Sequence, residues 1–134
     1  MTLATPSGHP FRSDAKVRVK AMKTVDRVVA VLILLLGAIH ACLAPVFRGL
    51  YNTAGMWFLS GGLMLIFVGL LNLVRIASPG GTARWAALGA NILALAFVTG
   101  LVPLASLRQN PQVTLSIVLM AAATLFSLLR RDPV

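Results

Sequence analysis

The chain has 134 residues, of which 58% are hydrophobic and only 11% are charged. Soluble domains carry about 25% charged residues, so this composition excludes an ordinary water-soluble fold and favours one membrane domain. The net charge of +9 would suit nucleic-acid binding, but no aromatic stacking residues are interleaved with the cations, and we predict no nucleic-acid partner.

Residues 1–22 are predicted to form a cytoplasmic basic tail that is partly disordered. Prolines and a glycine interrupt its first part, and we expect residues 1–14 to be disordered. Basic residues then recur at positions 16, 18, 20, 23 and 27. They are interpreted as the solvated, positively charged flank of a membrane span, or alternatively as an interfacial helix that binds anionic lipid.

Residues 23–134 are predicted to form a four-helix transmembrane domain. About 20 apolar residues in helical form cross a hydrocarbon core of about 30 Å. Short polar connections separate the runs, which makes consecutive helices antiparallel neighbours and predicts an all-α, up-down four-helix bundle. The predicted spans are about 28–47, 53–74, 83–102 and 113–129.

The distribution of cations predicts the orientation. With the N-terminus inside, ten of the 12 Lys and Arg lie on the inner side and only Arg48 and Arg108 lie outside. Under the positive-inside rule this places both termini in the cytoplasm of a bacterial inner membrane. We expect Asp26 at the start of the first helix, where an acid favours the helix dipole. The residues assigned to lipid headgroups and the positive-inside flank are Lys16, Arg18, Lys20, Lys23, Arg27, Arg75, Arg84, Arg130 and Arg131.

The first apolar run imitates a signal peptide, because a basic start precedes it and small residues lie near its end. The basic region is long, Pro45 follows Ala44, and three further spans follow. We therefore expect the segment to be retained.

Polar residues inside apolar runs are the functional candidates of a membrane protein. His40 is expected in the outer half of the first span, and with Trp57, Ser60 and Thr99 it predicts a small pocket open to the outside. The alternative is a histidine that only packs against a neighbouring helix. Haem is disfavoured because the other histidine, His9, lies in the tail, and the sequence lacks the ligand set of a zinc site, so we predict no cofactor and no metal.

Two asparagines, Asn72 and Asn91, fall in the inner halves of neighbouring spans. Their amides are predicted to form an interhelical polar clamp. An ion or substrate path through them is the alternative interpretation.

Small residues recur every four positions in two of the spans, a spacing that lets helix backbones approach closely. This pattern does not separate packing within the chain from packing between chains. The stripes are Gly37 and Ala41, Ala86, Ala90 and Ala94, and Ala96 and Gly100, with Ser60-Gly61-Gly62 as a local cluster.

The first two spans carry a recognisable series of residues: Gly37-x-x-His40, Pro45, Trp57-Phe58-x-x-Gly61-Gly62 and Leu71-Asn72. This series resembles small bacterial four-helix inner-membrane proteins, most of which carry no named activity. The resemblance implies a fold and a location and no reaction.

The sequence contains no catalytic constellation, neither a phosphate-binding glycine loop nor a nucleophile triad. We therefore expect a non-enzymatic membrane protein that acts through packing with partners or with copies of itself. The alternatives are a small transporter or channel subunit and a protein that binds a lipid-soluble ligand near His40. Small four-helix multidrug exporters have this size but depend on a glutamate in the first helix, and this chain has no Glu.

Overall fold

The structure is a computed structural model that describes residues 11–47, 52–78, 80–101 and 110–129, and it contains only α-helix as regular structure in those ranges. Each helix is long and apolar enough to cross a membrane. The prediction of an all-helical chain with four helices of membrane-spanning length is confirmed. The helices are α1 (Phe11–Phe47), α2 (Thr53–Ala77), α3 (Gly81–Leu101) and α4 (Pro111–Leu129).

Helix α1 begins well before the predicted first span. Residues 11–14, which we expected to be disordered, belong to the same helix as the apolar run, and residues 1–10 lie outside the described part. No proline or glycine occurs between Phe11 and Leu36 to interrupt the helix. The basic segment is therefore a direct continuation of the span.

Local hydrogen bonds define the ends of α2 and the start of α4. The side chain of Asn52 accepts a hydrogen bond from the backbone N–H of Gly55 at 2.7 Å, and the N–H of Ser78 donates to the Val74 carbonyl at 2.8 Å. The side chain of Asn110 accepts from the N–H of Gln112 at 3.0 Å. These contacts satisfy backbone groups that a helix end leaves unpaired.

Side-chain contacts show which helix ends meet. Asp26 of α1 contacts Arg75 near the end of α2. Arg84 near the start of α3 contacts the backbone of Ser127 and Leu128 at the end of α4. We call this end of the molecule the basic end. The apolar core lies beyond it and consists of Ile33, Leu65, Val68, Ala94, Leu119, Met120 and Ala123.

Glycines bring α1 and α2 into backbone contact. A Cβ on Gly62 would lie 2.6 Å from the Ala41 nitrogen, and a Cβ on Gly37 would lie 2.7 Å from the Gly62 carbonyl oxygen. A Cβ on Gly69 would lie 2.8 Å from the Leu34 Cβ. No side chain larger than hydrogen fits at these positions without a shift, so the Gly37 and Ala41 stripe is used for packing inside the chain.

Candidate functional site

Five polar side chains, contributed by all four helices, form a continuous buried network at the basic end. Each is at most 3% exposed. Buried polar groups are costly unless they are hydrogen-bonded, so a network of this kind holds its helices in one arrangement. The members of this polar network are Asp26, Asn72, Arg75, Asn91 and Ser127.

The two amides predicted as a clamp lie at the centre of the network. Asn72 Nδ2 donates to Asn91 Oδ1 at 2.7 Å, and Asn91 Nδ2 donates to Asn72 Oδ1 at 3.1 Å. Asn72 Nδ2 also donates to the Val68 carbonyl of its own helix at 2.9 Å. The reciprocal pair ties α2 to α3.

The network continues from the amide pair in both directions. Arg75 Nε donates to Asn72 Oδ1 at 3.3 Å, and Arg75 Nη2 donates to Asp26 Oδ1 at 2.5 Å, which reaches α1. On the other side, Asn91 Nδ2 donates to Ser127 Oγ at 3.2 Å, which reaches α4. A hydrogen-bonded path therefore crosses the whole bundle.

Two predictions about charged residues are wrong. Arg75 was assigned to lipid headgroups, yet it is 3% exposed and paired with Asp26. Asp26 was placed at the start of the first helix, but α1 begins at Phe11 and Asp26 lies within it, 2% exposed. The physical reason is that opposite charges at the same depth neutralise each other, which costs less than leaving either one alone in an apolar bundle.

One nitrogen of the Arg75 guanidinium takes no part in the ion pair with Asp26. Its Nη1 is buried and has no hydrogen-bond partner among the described residues. A guanidinium has five N–H donors, and leaving a buried one unmet is costly. Within the described residues the network therefore leaves one buried guanidinium nitrogen without a hydrogen bond.

Arg84 also differs from its predicted role. Its Nε donates to the Ser127 carbonyl at 2.9 Å and its Nη2 donates to the Leu128 carbonyl at 3.1 Å. Its guanidinium carbon lies 5.7 Å from the centroid of the Trp85 ring. Arg84 thus satisfies carbonyls that the end of α4 leaves free, instead of only extending toward headgroups.

The other cations assigned to headgroups divide into two groups. Arg18, Lys20, Lys23 and Arg27 are exposed on α1. The side chain of Lys16 lies outside the described part, as do Arg130 and Arg131.

The predicted pocket residues do not form one site. The His40 ring stacks on Phe58 of α2, with centroids 3.7 Å apart and ring planes at 21°. Ser60 and Thr99 are exposed and donate to carbonyls of their own helices, and Trp57 is 65% exposed. His40 therefore packs against α2 through its ring.

A different concavity lies between α2 and α3. It is an open groove of about 680 Å³, and Ser60 is the one predicted pocket residue that lines it. It begins beside the amide pair, at Leu71 and Ala90, and reaches Phe97 at the other end. The helices are thus held together at the polar network and leave an apolar groove beyond it. Its lining is completed by Leu63, Met64, Phe67, Val68, Leu93 and Ala94.

Sequence reasoning missed Asp26, Arg75 and Ser127 as members of the network. The sequence did contain a clue to the role of Asp26. It is the one acid next to the first span, and in an antiparallel pair it lies on the same side as Arg75 at the end of the second span. Nothing in the local sequence singled out Ser127. Across the described ranges, no three His, Cys, Asp or Glu side chains group as metal ligands, and Cys42 is exposed.

Comparison of the chain with protein-family models, with curated proteins and with solved structures finds no match.

Proposed function

We propose that the chain is a multi-pass protein of a bacterial inner membrane that acts by packing the outer face of α3 against another helix, either of a partner protein or of a second copy. The bundle is up-down with both termini in the cytoplasm. The carrying observation is that α3 exposes a row of mostly small residues that the described part of the chain leaves uncovered.

The outer face of α3 consists of residues spaced three or four apart, all of which are exposed. A Cβ added to Gly89 or Gly100 would meet nothing within 4 Å. Gly37, Gly62 and Gly69 behave differently, because they are in contact with the backbone of the neighbouring helix. Small residues that do not serve packing inside the chain remain available to a second helix. The face is formed by Ala86, Gly89, Leu93, Ala96 and Gly100, of which Leu93 also borders the groove between α2 and α3.

The proposed orientation is supported by the contacts at the basic end. The Asp26–Arg75 pair joins α1 to the last turns of α2, and the Arg84–Ser127 contact joins the start of α3 to the end of α4. Lys23, Arg27, Arg75 and Arg84 lie in or near these contacts along their helices, which supports a cytoplasmic location for this end under the positive-inside rule. A reporter fused after Val134 is expected to be active in its cytoplasmic form and inactive in its periplasmic form.

Native mass spectrometry in mild detergent tests the association. We expect the wild-type protein to retain a second copy or a co-purifying membrane protein, and Gly89→Leu with Ala96→Leu to release it by closing the face. Ala121→Leu, at an exposed small residue of α4, is the matched control and is expected to leave the association intact. A strictly monomeric wild-type protein without a partner would contradict the proposal.

A second candidate function, binding of a lipid-soluble ligand, is favoured by the apolar groove between α2 and α3. Phe67 and Phe97 line it and expose their rings to a tail lying along the groove. Phe67→Ala with Phe97→Ala is then expected to reduce the lipid that co-purifies in native mass spectra. Leu125→Ala on the exposed face of α4 is the control, and equal lipid retention in all three proteins would remove this candidate.

A further inference from the structure

The N-terminal part of α1 extends beyond the other three helices. Asp26 is level with Arg75, and α2 ends two residues later at Ala77. At 1.5 Å per residue, residues 11–25 extend about 20 Å past this level. The described side chains of this segment, residues 17–25, are all exposed. We call residues 11–25 the α1 extension.

One face of the α1 extension has the spacing of a helix-pairing seam. Val17, Ala21, Thr24 and Val28 follow one another at intervals of four, three and four, and all are exposed. Val17 is 65% and Val28 50% exposed. This alternation of three and four is the heptad pattern by which one helix packs along another.

Cations flank this seam. Arg18 and Lys20 lie beside Val17 and Ala21, and Arg27 lies beside Val28; all three are exposed. Residues at flanking positions of a paired helix select the partner through charge. A second copy in the same membrane orientation would bring more cations to the seam, so the charges disfavour self-association there and favour an acidic helix.

The direction of α1 argues that the ligand is in water and not in the bilayer. Sharp kinks arise at proline, at Gly/Ser pairs or at π-bulges, and α1 has neither proline nor glycine before Gly37. The α1 extension therefore continues along the span, away from the membrane surface. Arg18 lies eight residues before Asp26, about 12 Å along the helix, which exceeds the Debye length of about 8 Å in physiological salt.

We propose that the seam of the α1 extension docks an acidic amphipathic helix of a partner protein, with Arg18 and Lys20 facing its carboxylates. The inference shares with the proposed function only the premise that the chain binds another protein. The surface is different from the outer face of α3 and lies on the N-terminal part of α1.

The test uses the full chain in nanodiscs of zwitterionic lipid and a labelled synthetic helix with Leu at the seam positions and Glu at the flanking positions. Arg18→Glu with Lys20→Glu reverses two flanking charges. Lys16→Glu with Lys23→Glu makes the same change in net charge at two positions one heptad apart and off the seam. Fluorescence anisotropy is expected to show about tenfold weaker binding for the flanking pair and less than about threefold for the control pair.

Three outcomes would overturn the proposal. Equal weakening by both pairs would mean a general charge effect, and equal binding of a peptide with Lys in place of Glu would remove the charge selection. Tighter binding of single-stranded DNA than of the acidic helix would assign the segment to nucleic acid. Gly89→Leu with Ala96→Leu is expected to leave peptide binding unchanged, which separates this test from that of the α3 face.

Discussion

Helix α2 makes two contacts of different kinds. Against α1 it presents Gly62 and Gly69, so that the backbones touch along several turns. Against α3 it makes the amide pair of Asn72 and Asn91 at one end, and beyond that an apolar groove. Lipid tails are as apolar as leucine, so burial of apolar surface drives neither contact. What remains is close packing, which joins α2 to α1 together with the Asp26–Arg75 ion pair, and interhelical hydrogen bonding, which joins α2 to α3.

The largest effect is expected where charge joins α1 to α2. Asp26→Asn removes the carboxylate that Arg75 binds at 2.5 Å and leaves a guanidinium that is 3% exposed without its counter-charge. Breaking a buried ion pair on one side costs about 3–5 kcal/mol. Reversible unfolding in mixed micelles measures this cost.

Arg27→Gln is the matched control for the ion pair, since Arg27 is the next residue and is exposed. It is expected to change the free energy of unfolding little. Should Asp26→Asn unfold at the same denaturant concentration as Arg27→Gln, the ion pair would not hold α1 to α2.

A smaller effect is expected from inserting a methyl group into the backbone contact between α1 and α2. Gly62→Ala places a Cβ against the backbone of Ala41 and Gly37, and overpacking of this kind costs about 1–3 kcal/mol. Gly89→Ala adds the same methyl group where nothing lies within 4 Å. It is expected to be neutral or slightly stabilising, because alanine favours helix over glycine by about 1 kcal/mol.

Thermal unfolding of the two glycine variants in the same detergent provides the measurement. If both variants lose the same stability, Gly62 would not be more tightly packed than Gly89, and the contrast between the α1–α2 contact and the open face of α3 would be refuted.

The smallest effect is expected from the contact between α2 and α3. Asn72→Leu, Asn91→Leu and the double variant form a cycle, and we expect a coupling of about 0.6–2 kcal/mol, the range for hydrogen bonds between membrane helices. Asn72→Leu alone is expected to cost more than Asn91→Leu, because Asn72 Oδ1 also accepts from Arg75. Additive single effects in unfolding measurements would mean that the two amides act independently.

Some of the site was accessible from the sequence. The depth of Asn72 and Asn91 follows from their positions in consecutive spans, and short connections make those spans neighbours, so the approach of the two amides was predictable. The pairing of Asp26 with Arg75 was not predicted, because α1 was expected to start near Asp26 and in fact begins at Phe11. An acid within a helix has different neighbours from one at its first turn.

The grouping of His40 with Ser60 and Thr99 was inferred from depth alone. Depth does not determine which way a side chain faces around its helix. In the structure His40 stacks on Phe58, whereas Ser60 lines the groove on another side of α2. Rotation about the helix axis therefore decided this part of the site.

The sequence by itself determined four helices of membrane-spanning length, because apolar runs of that length have no other way to satisfy their backbone in hydrocarbon. It also determined on which flanks the cations lie. The tertiary structure alone decided which small residues are used inside the chain, since Gly62 touches α1 while Gly89 is open. Rotation and depth of one helix against another depend on contacts between distant residues, and local periodicity does not encode them.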